Sequence, residues 1–106
     1  MTTLVIHAPY RRVKNGAKSF NAVLASGLGD AYIITPREFT ILGSSRSASV
    51  VVLDKDNKGR AEGVLVKLVP TKKAKNGGQR YDVHIRDLKT VPYKSERLNR
   101  NGIAVM

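Results

Sequence analysis

The sequence predicts an α+β fold, a small, mostly antiparallel and partly open β-barrel that carries two short helices in the order β-α-β-α-β-β-β. Short apolar runs rich in β-branched residues recur along the chain. Two segments of the first half instead space their apolar residues three and four apart and carry helix signals. Runs in the second half are separated by turn residues, as in hairpins. The chain is 106 residues long without an internal repeat, so residues 1–106 are expected to form a single domain.

The first predicted strand is the apolar run at residues 2–8, which Pro9 ends. A short amphipathic helix is expected from Ser19, because apolar side chains then recur three and four residues apart and Gly27 can close the helix. Residues 31–35, "AYIIT", predict the second strand because β-branched and aromatic residues fit a pleated surface. Strand, helix and strand therefore follow one another in the first third of the chain.

The second predicted helix has the clearest local signals. In "TPREFTILG", Thr35 can cap the helix and Pro36 occupies the first helical position, where its missing N–H leaves no intrahelical bond unmade. Glu38 stands where it can complete a capping box with Thr35. With Gly43 as a stop signal, we expect a helix of about two turns, and a structural role for Glu38.

Residues 50–53 and 61–69 are β-prone runs on either side of a turn, so they are expected to pair as a hairpin whose second strand ends at Pro70. The following "TKKAKNGG" predicts a flexible loop. Residues 79–88 alternate between polar and apolar, which is typical of a strand with one exposed face. The exposed face is expected to hold Arg80, Asp82, His84 and Arg86, and the buried face Tyr81, Val83 and Ile85. A basic, irregular segment at residues 89–102 follows, and residues 103–106 could add an edge strand.

The acidic residues that begin at Asp54, in "DKDNKG", have the first spacing of a calcium loop. Such a loop needs an oxygen ligand at its fifth position and a glutamate at its twelfth, where this chain has Lys58 and Leu65. No metal site is therefore predicted. Asp54, Asp56 and Glu62, together with the basic residues Lys55, Lys58 and Arg60 that lie between them, are interpreted as solvated charges near a hairpin tip.

The sequence predicts no catalytic residue and no cofactor. His7 and His84 lie on different predicted strands, and no serine or cysteine arrangement has the signature of an activated nucleophile. The "GLGD" stretch lacks the third glycine and the strand-then-helix context of a dinucleotide site. His84 is expected beside two arginines, where it could contact phosphate or stack on a base.

The composition is strongly basic. Nineteen Lys and Arg residues against eight Asp and Glu residues leave a net charge of +11, which attracts polyanions, and nucleic acid is the commonest of these. The chain has no cysteine, its N-terminal apolar run precedes its charges, and no stretch of about 18 apolar residues occurs. We therefore expect a cytoplasmic protein that does not enter a membrane.

Basic residues are interleaved with tyrosines in three clusters, a combination in which cations neutralise phosphates and rings stack on bases. The tyrosines at positions 10 and 93 are the better stacking candidates, because alternation buries the one at position 81. The predicted nucleic-acid-binding residues, with Lys18 and the polar face of residues 79–88 included, are Tyr10, Arg11, Arg12, Lys14, Lys18, Lys72, Lys73, Lys75, Arg80, His84, Arg86, Tyr93, Lys94, Arg97 and Arg100.

The element order, the "VVVLDKDNKGRAEGVLVKLV" hairpin and the "YDVHI" strand resemble the PUA-like superfamily, which includes the ASCH and EVE domains, over residues 4–88. That resemblance implies a small pseudo-barrel associated with RNA or modified nucleotides. "NGAKSF" is similar to the Gly-x-Lys segment of ASCH proteins, and the Glu-x-Arg that follows in their pattern is absent here. Lys18 is therefore the single residue that the resemblance carries over.

These observations predict a non-catalytic protein that binds nucleic acid, with RNA or a single strand favoured because no recognition-helix motif is visible. One alternative is a small ribonuclease or RNA-modifying enzyme that uses the two histidines with a tyrosine and Lys or Arg. Another is an inhibitor or assembly factor whose positive surface meets an acidic protein or a ribonucleoprotein.

Overall fold

The computed structural model describes residues 2–8, 19–44, 47–55, 57–75, 77–99 and 102–106, and within these ranges the chain forms two helices and six strands. In chain order these elements are β1 (Thr3–His7), α1 (Phe20–Ser26), β2 (Leu28–Ile33), α2 (Pro36–Ser44), β3 (Ser49–Asp54), β4 (Gly59–Lys73), β5 (Gln79–Thr90) and β6 (Ile103–Val105).

The strands form one sheet in the order β2-β5-β4-β3-β1-β6. All neighbouring strands are antiparallel except β1 and β3, which are parallel. The mixed α+β class, the β3–β4 hairpin and the terminal edge strand are thereby confirmed. Over the described residues the sheet is open, with β2 and β6 as its edges, and the pairing does not close it into a barrel.

The two faces of the sheet bury different clusters. The inner face packs against both helices and holds the main core, which includes Leu4, Ile6, Phe20, Val23, Leu42, Val50, Val52, Val83 and Ile85. The outer face carries a smaller cluster of Val5, Val51 and Leu53. That cluster is covered by Tyr93 and Leu98 of residues 91–99, which form neither helix nor strand and are called the C-terminal segment below.

Both helix starts are formed as their sequence signals predict. The Ser19 hydroxyl accepts a hydrogen bond from the Ala22 amide at 3.3 Å, and Gly27 closes α1 in the left-handed conformation at φ 67°. At α2 the Thr35 hydroxyl accepts from the Glu38 amide at 3.2 Å. The Glu38 carboxylate in turn accepts from the Thr35 amide at 3.0 Å, so the capping box is confirmed.

Strand β2 begins at Leu28, three residues before its predicted start. Its Gly29 explains the difference, because a Cβ at that position would stand 2.8 Å from Cδ1 of Ile6. A strand that approaches another strand this closely across the core needs a residue without a side chain. The glycines of "GLGD" therefore serve strand packing as well as helix termination.

Strand β4 continues beyond Pro70 to Lys73, so the expected end at Pro70 is wrong. Because β3 pairs with β4 as far as Val64, one edge of β4 at Pro70 lies beyond the end of β3, and a proline is tolerated there. The predicted flexible loop is also shorter than expected. A turn closes it, with the Ala74 amide bound to the Gly78 carbonyl at 2.7 Å. The irregular segment accordingly begins after Thr90 and not at residue 89.

Candidate nucleic-acid interface

A row of polar side chains runs along β5 on the outer face of the sheet. Val83 and Ile85 of the same strand are buried in the inner core, so strand alternation directs Arg80, His84 and Arg86 outward, as predicted. The register adds a cation from the neighbouring strand, since Lys67 of β4 is paired with His84. We call Lys67, Arg80, His84 and Arg86 the outer row.

Two aspartates lie beside the outer row, and the positive charge of its lysine and two arginines exceeds their negative charge. Asp82 lies between Arg80 and His84 along β5. Arg86 forms an ion pair with Asp87 at 3.0 Å, in which the two side chains are 63% and 74% exposed. An ion pair that is so well solvated contributes little free energy, so a phosphate can compete with it for the guanidinium.

The end of β4 and the turn that follows it concentrate positive charge beyond the end of the outer row. Lys72, Lys73 and Lys75 are all exposed there, and over the described residues none of them forms an ion pair. Gly77, at φ 88°, supplies the left-handed conformation that lets the chain reverse tightly. We call these three lysines the tip lysines. No ion pair within the described residues competes with a ligand for them.

The C-terminal segment crosses the same outer face, over strands β1 and β3. Tyr93 is half-buried because it packs on the outer cluster, so less of its ring is accessible for stacking than a fully exposed tyrosine would offer. Lys94 and Arg97 of the same segment are exposed. Lys94 and Arg97 therefore lie on the same side of the sheet as Arg80.

Arg60 of β4 anchors this segment. Its side chain is 9% exposed and its Nη1 donates to the Lys94 carbonyl at 2.7 Å and to the Glu96 carboxylate at 3.0 Å. Its Nε and Nη2 both contact the Glu62 carboxylate at 3.1 Å. A buried guanidinium needs such partners because desolvation is costly, so these contacts account for its burial.

A groove of about 410 Å³ crosses the outer face from β1 to β5. Its lining includes Arg60 and Lys89 together with the carboxylates of Glu62 and Asp87. Positive and negative groups are therefore balanced in this groove. The excess of positive charge lies at the outer row and the tip lysines, farther along the β4–β5 hairpin.

Asp54 is not a solvated hairpin charge as expected. It is 1% exposed, and its carboxylate accepts hydrogen bonds from the Asn57 amide at 3.3 Å and from Asn57 Nδ2 at 3.1 Å. The turn folds its own polar groups around the carboxylate, which compensates for its burial. Asp54 therefore has a structural role in the β3–β4 turn, and Asp56 lies outside the described residues.

The two histidines are far apart. In the sheet register, His7 is paired with Leu53, which is paired in turn with Arg60 of β4, whereas His84 is paired with Lys67 of β4. The corresponding positions on β4, Arg60 and Lys67, are about 20 Å apart along the strand, and this separation does not depend on how the sheet curls across its strands. Side chains at that separation cannot act as an acid–base pair on one reacting group.

Several predicted binding residues lie outside the part of the chain that the structure describes: Tyr10, Arg11, Arg12, Lys14, Lys18 and Arg100. Sequence reasoning did not include Lys67 in the candidate site, because the irregularity of β4 between Leu65 and Lys67 shifts its register against β5. It also interpreted Arg60 as a charge near the tip, since burial of an arginine depends on partners far along the chain.

Within the described ranges, no group of three or more His, Asp or Glu residues is placed to hold a metal ion, and no helix is long and apolar enough to cross a membrane. Comparison with known proteins likewise gives no match to a family model, a curated protein or a solved structure.

Proposed function

We propose that this protein binds RNA or another single-stranded nucleic acid, without catalysis, and does so in the cytoplasm. The single observation that carries the proposal is the concentration of cations on the β4–β5 hairpin, with the outer row along its strands and the tip lysines at its end. The absence of cysteine from the sequence suits a reducing compartment.

The charge arrangement favours a polyanion over a small anion. Side chains two residues apart on one face of a strand are about 6.6 Å apart, so His84 and Arg86 are one such step apart, and Arg80 is two steps from His84 with Asp82 between them. The tip lysines extend this series at the end of β4 and in the turn that follows it. A backbone of regularly repeated phosphates can engage such a series, and each phosphate contact releases counterions.

The position of the helices favours a single strand over a duplex read through its major groove. Both helices contribute side chains to the inner core, Phe20 and Val23 from α1 and Leu42 from α2. The outer row therefore belongs to a sheet surface. Sheet surfaces bind flexible single strands, whereas a helix is the usual element in the major groove.

We also infer that the sheet is the curled half of a pseudo-barrel of the PUA-like kind. In support, the hydroxyl of Tyr32 on β2 donates to the His7 carbonyl on β1 at 2.8 Å. These strands are separated by β5, β4 and β3 in the sheet, so the sheet must curl for them to touch. The resemblance noted from the sequence agrees with this curvature, and it also favours RNA as the ligand.

The test is the salt dependence of binding to a labelled single-stranded RNA of about twelve nucleotides, within the usual site size of small single-strand binders. Replacement of the tip lysines by glutamine, Lys72→Gln, Lys73→Gln and Lys75→Gln together, should flatten the log–log slope by about 2, since each contact with a single strand contributes roughly 0.7. Fluorescence anisotropy at several salt concentrations measures this slope.

A matched control removes the same charge from outside the proposed surface, through Arg37→Gln, Lys55→Gln and Lys58→Gln. This control should leave the slope within experimental error of the unaltered protein. Equal flattening by both triple variants, or binding of the unaltered protein that ignores salt, would contradict the proposal. RNA shortening that His84→Ala abolishes would show instead that the protein is a nuclease.

A further inference from the structure

We infer that the groove between α2 and β4 docks an extended, acidic peptide segment of a partner protein, which adds a strand to the open edge of β4. This groove lies on the helix side of β4 and shares Lys67 with the outer row. The inference does not rest on nucleic-acid binding, and the variants below test the groove through Phe39 and Val66, which are not part of the outer row.

The edge of β4 is available beyond its hairpin with β3. Pairing with β3 ends at Val64, and the Leu65 amide makes one more hydrogen bond, to the Ala48 carbonyl at 2.9 Å. From Val66 to Lys73 the strand continues with β5 as its partner, and the described residues place no strand along its other edge. Such an edge presents backbone donors and acceptors to an incoming strand.

An apolar groove lies beside this edge. It has a volume of about 260 Å³ and is formed by Phe39 and Leu42 of α2 and by Val66 and Leu68 of β4, among others. Phe39 is 41% exposed and Val66 is 53% exposed, which makes them two of the large apolar side chains left open on the described surface. Alternate apolar side chains of an added strand can fill this groove, since they project toward one face.

One wall of the groove is already ordered. The Phe39 ring stacks on the Tyr81 ring of β5 with centroids 5.1 Å apart and an interplanar angle of 24°. A ring held in this way loses little conformational freedom when a ligand packs on it, so less of the binding free energy is lost to ordering.

The residues that discourage pairing with the edge of β4 come after Leu68. Proteins commonly blunt exposed edges with prolines and lysines, and this strand has Pro70, Lys72 and Lys73 toward its end. Val66 and Leu68 come before these residues and are apolar. A partner strand can therefore pair beside the groove, while strands extended along the entire edge are disfavoured.

The positive charge in and near the groove favours an acidic partner. Lys67 is the charged residue that lines the groove, and the tip lysines lie farther along the same strand. Acidic side chains on the solvent-facing side of the peptide would meet these cations. A second copy of this chain would instead bring its own charge of +11 against the same surface, so self-association is electrostatically opposed.

The probe is a fluorescein-labelled peptide of alternating glutamate and valine, about eight residues or ~26 Å long when extended. It should bind the full chain, and a matched peptide of alternating lysine and valine should not. Phe39→Ala should weaken binding about tenfold, as expected when an apolar contact of ~1.4 kcal/mol is lost. The matched control is Ile41→Ala, because Ile41 is 39% exposed on the same helix but does not line the groove.

A second variant keeps the test decisive if Phe39→Ala disturbs the fold through its contact with Tyr81. Val66→Asp adds a negative charge at an exposed position and should also weaken binding of the acidic peptide about tenfold. Amide NMR signals of Val66, Lys67 and Leu68 should shift on peptide addition. Equal binding of both peptides, no binding of either, or binding of the acidic peptide that leaves the Val66 and Leu68 amides unshifted would overturn the inference.

Discussion

The Arg60 guanidinium and the Glu96 carboxylate, 36 positions apart in the chain, form an ion pair at 3.0 Å with side chains that are only 9% and 14% exposed. The same guanidinium nitrogen binds the Lys94 carbonyl at 2.7 Å. These contacts tie the C-terminal segment to β4. They therefore determine where the exposed cations of that segment stand relative to the sheet.

The first prediction concerns the energy of this pair. Glu96→Ala leaves a buried guanidinium with one carboxylate partner fewer, so the free energy of unfolding should fall by about 3 kcal/mol. The matched control is Asp87→Asn, which breaks the exposed ion pair with Arg86, keeps a side chain that tolerates the left-handed backbone at φ 56°, and should change stability by less than about 1 kcal/mol. Urea unfolding followed by circular dichroism measures the free energy of unfolding of both variants. Similar losses would contradict the conclusion that the Arg60–Glu96 pair is buried and the Arg86–Asp87 pair exposed.

The second prediction concerns the C-terminal segment itself. Without Glu96, the contacts that hold residues 91–99 on the outer face are weakened, so local opening becomes more frequent than global unfolding. Trypsin should then cut after Lys94 or Arg97 at least several times faster in Glu96→Ala than in Asp87→Asn. Mass spectrometry of the first fragments locates the cut, and initial cleavage elsewhere would show that another region opens first.

The third prediction uses two glycines with opposite surroundings. A Cβ at Gly63 would stand 2.8 Å from the Arg86 carbonyl oxygen and 2.7 Å from Cγ2 of Ile85. Gly63→Ala should therefore destabilise the protein by about 1–3 kcal/mol, as overpacking does, and displace the β5 backbone next to the outer row.

Gly43 is the control for that substitution. It lies in α2, and over the described residues no atom other than its chain neighbours and its own helix backbone comes within 4 Å of an added Cβ, so Gly43→Ala should stabilise the protein by about 0.5–1 kcal/mol. Thermal unfolding separates the two directions. A gain in stability from Gly63→Ala would mean that β4 and β5 are less closely packed than the structure has them.

The fourth prediction concerns the turn that begins at Asp54. Asp54→Ala removes a buried acceptor and leaves the Asn57 amide without it, so the free energy of unfolding should fall by about 1–3 kcal/mol. Lys58→Ala in the same turn tests ordinary surface substitution and should cost less than about 1 kcal/mol. Calorimetry compares the two, and equal costs would mean that the Asp54 carboxylate is as solvated as the sequence suggested.

Much of the local structure could be predicted from sequence because it depends on residues a few positions apart. The capping box between Thr35 and Glu38 spans three residues, and the outward direction of Arg80, His84 and Arg86 follows from strand alternation. Boundaries were less predictable. Strand β4 continues past Pro70 because its pairing with β3 stops at Val64, opposite the first residue of β3. This depends on another part of the chain.

The candidate site was predictable in part for the same reason. The exposed tip lysines follow from a polar, glycine-containing turn, whereas the pairing of Lys67 with His84 depends on an irregular register between β4 and β5. The half-burial of Tyr93 required knowing that its segment crosses the outer cluster. No local pattern distinguishes a tyrosine that packs on a distant strand from one that faces solvent.

The sequence by itself determined the α+β class, the helix caps, the alternation of β5 and the excess of positive charge. Only the tertiary structure decided that Arg60 and Asp54 are buried and that the C-terminal segment lies over the outer face. The reason is physical. Local signals act through neighbours within a turn or a strand, whereas a charge is buried only when distant segments supply the hydrogen bonds that offset its desolvation.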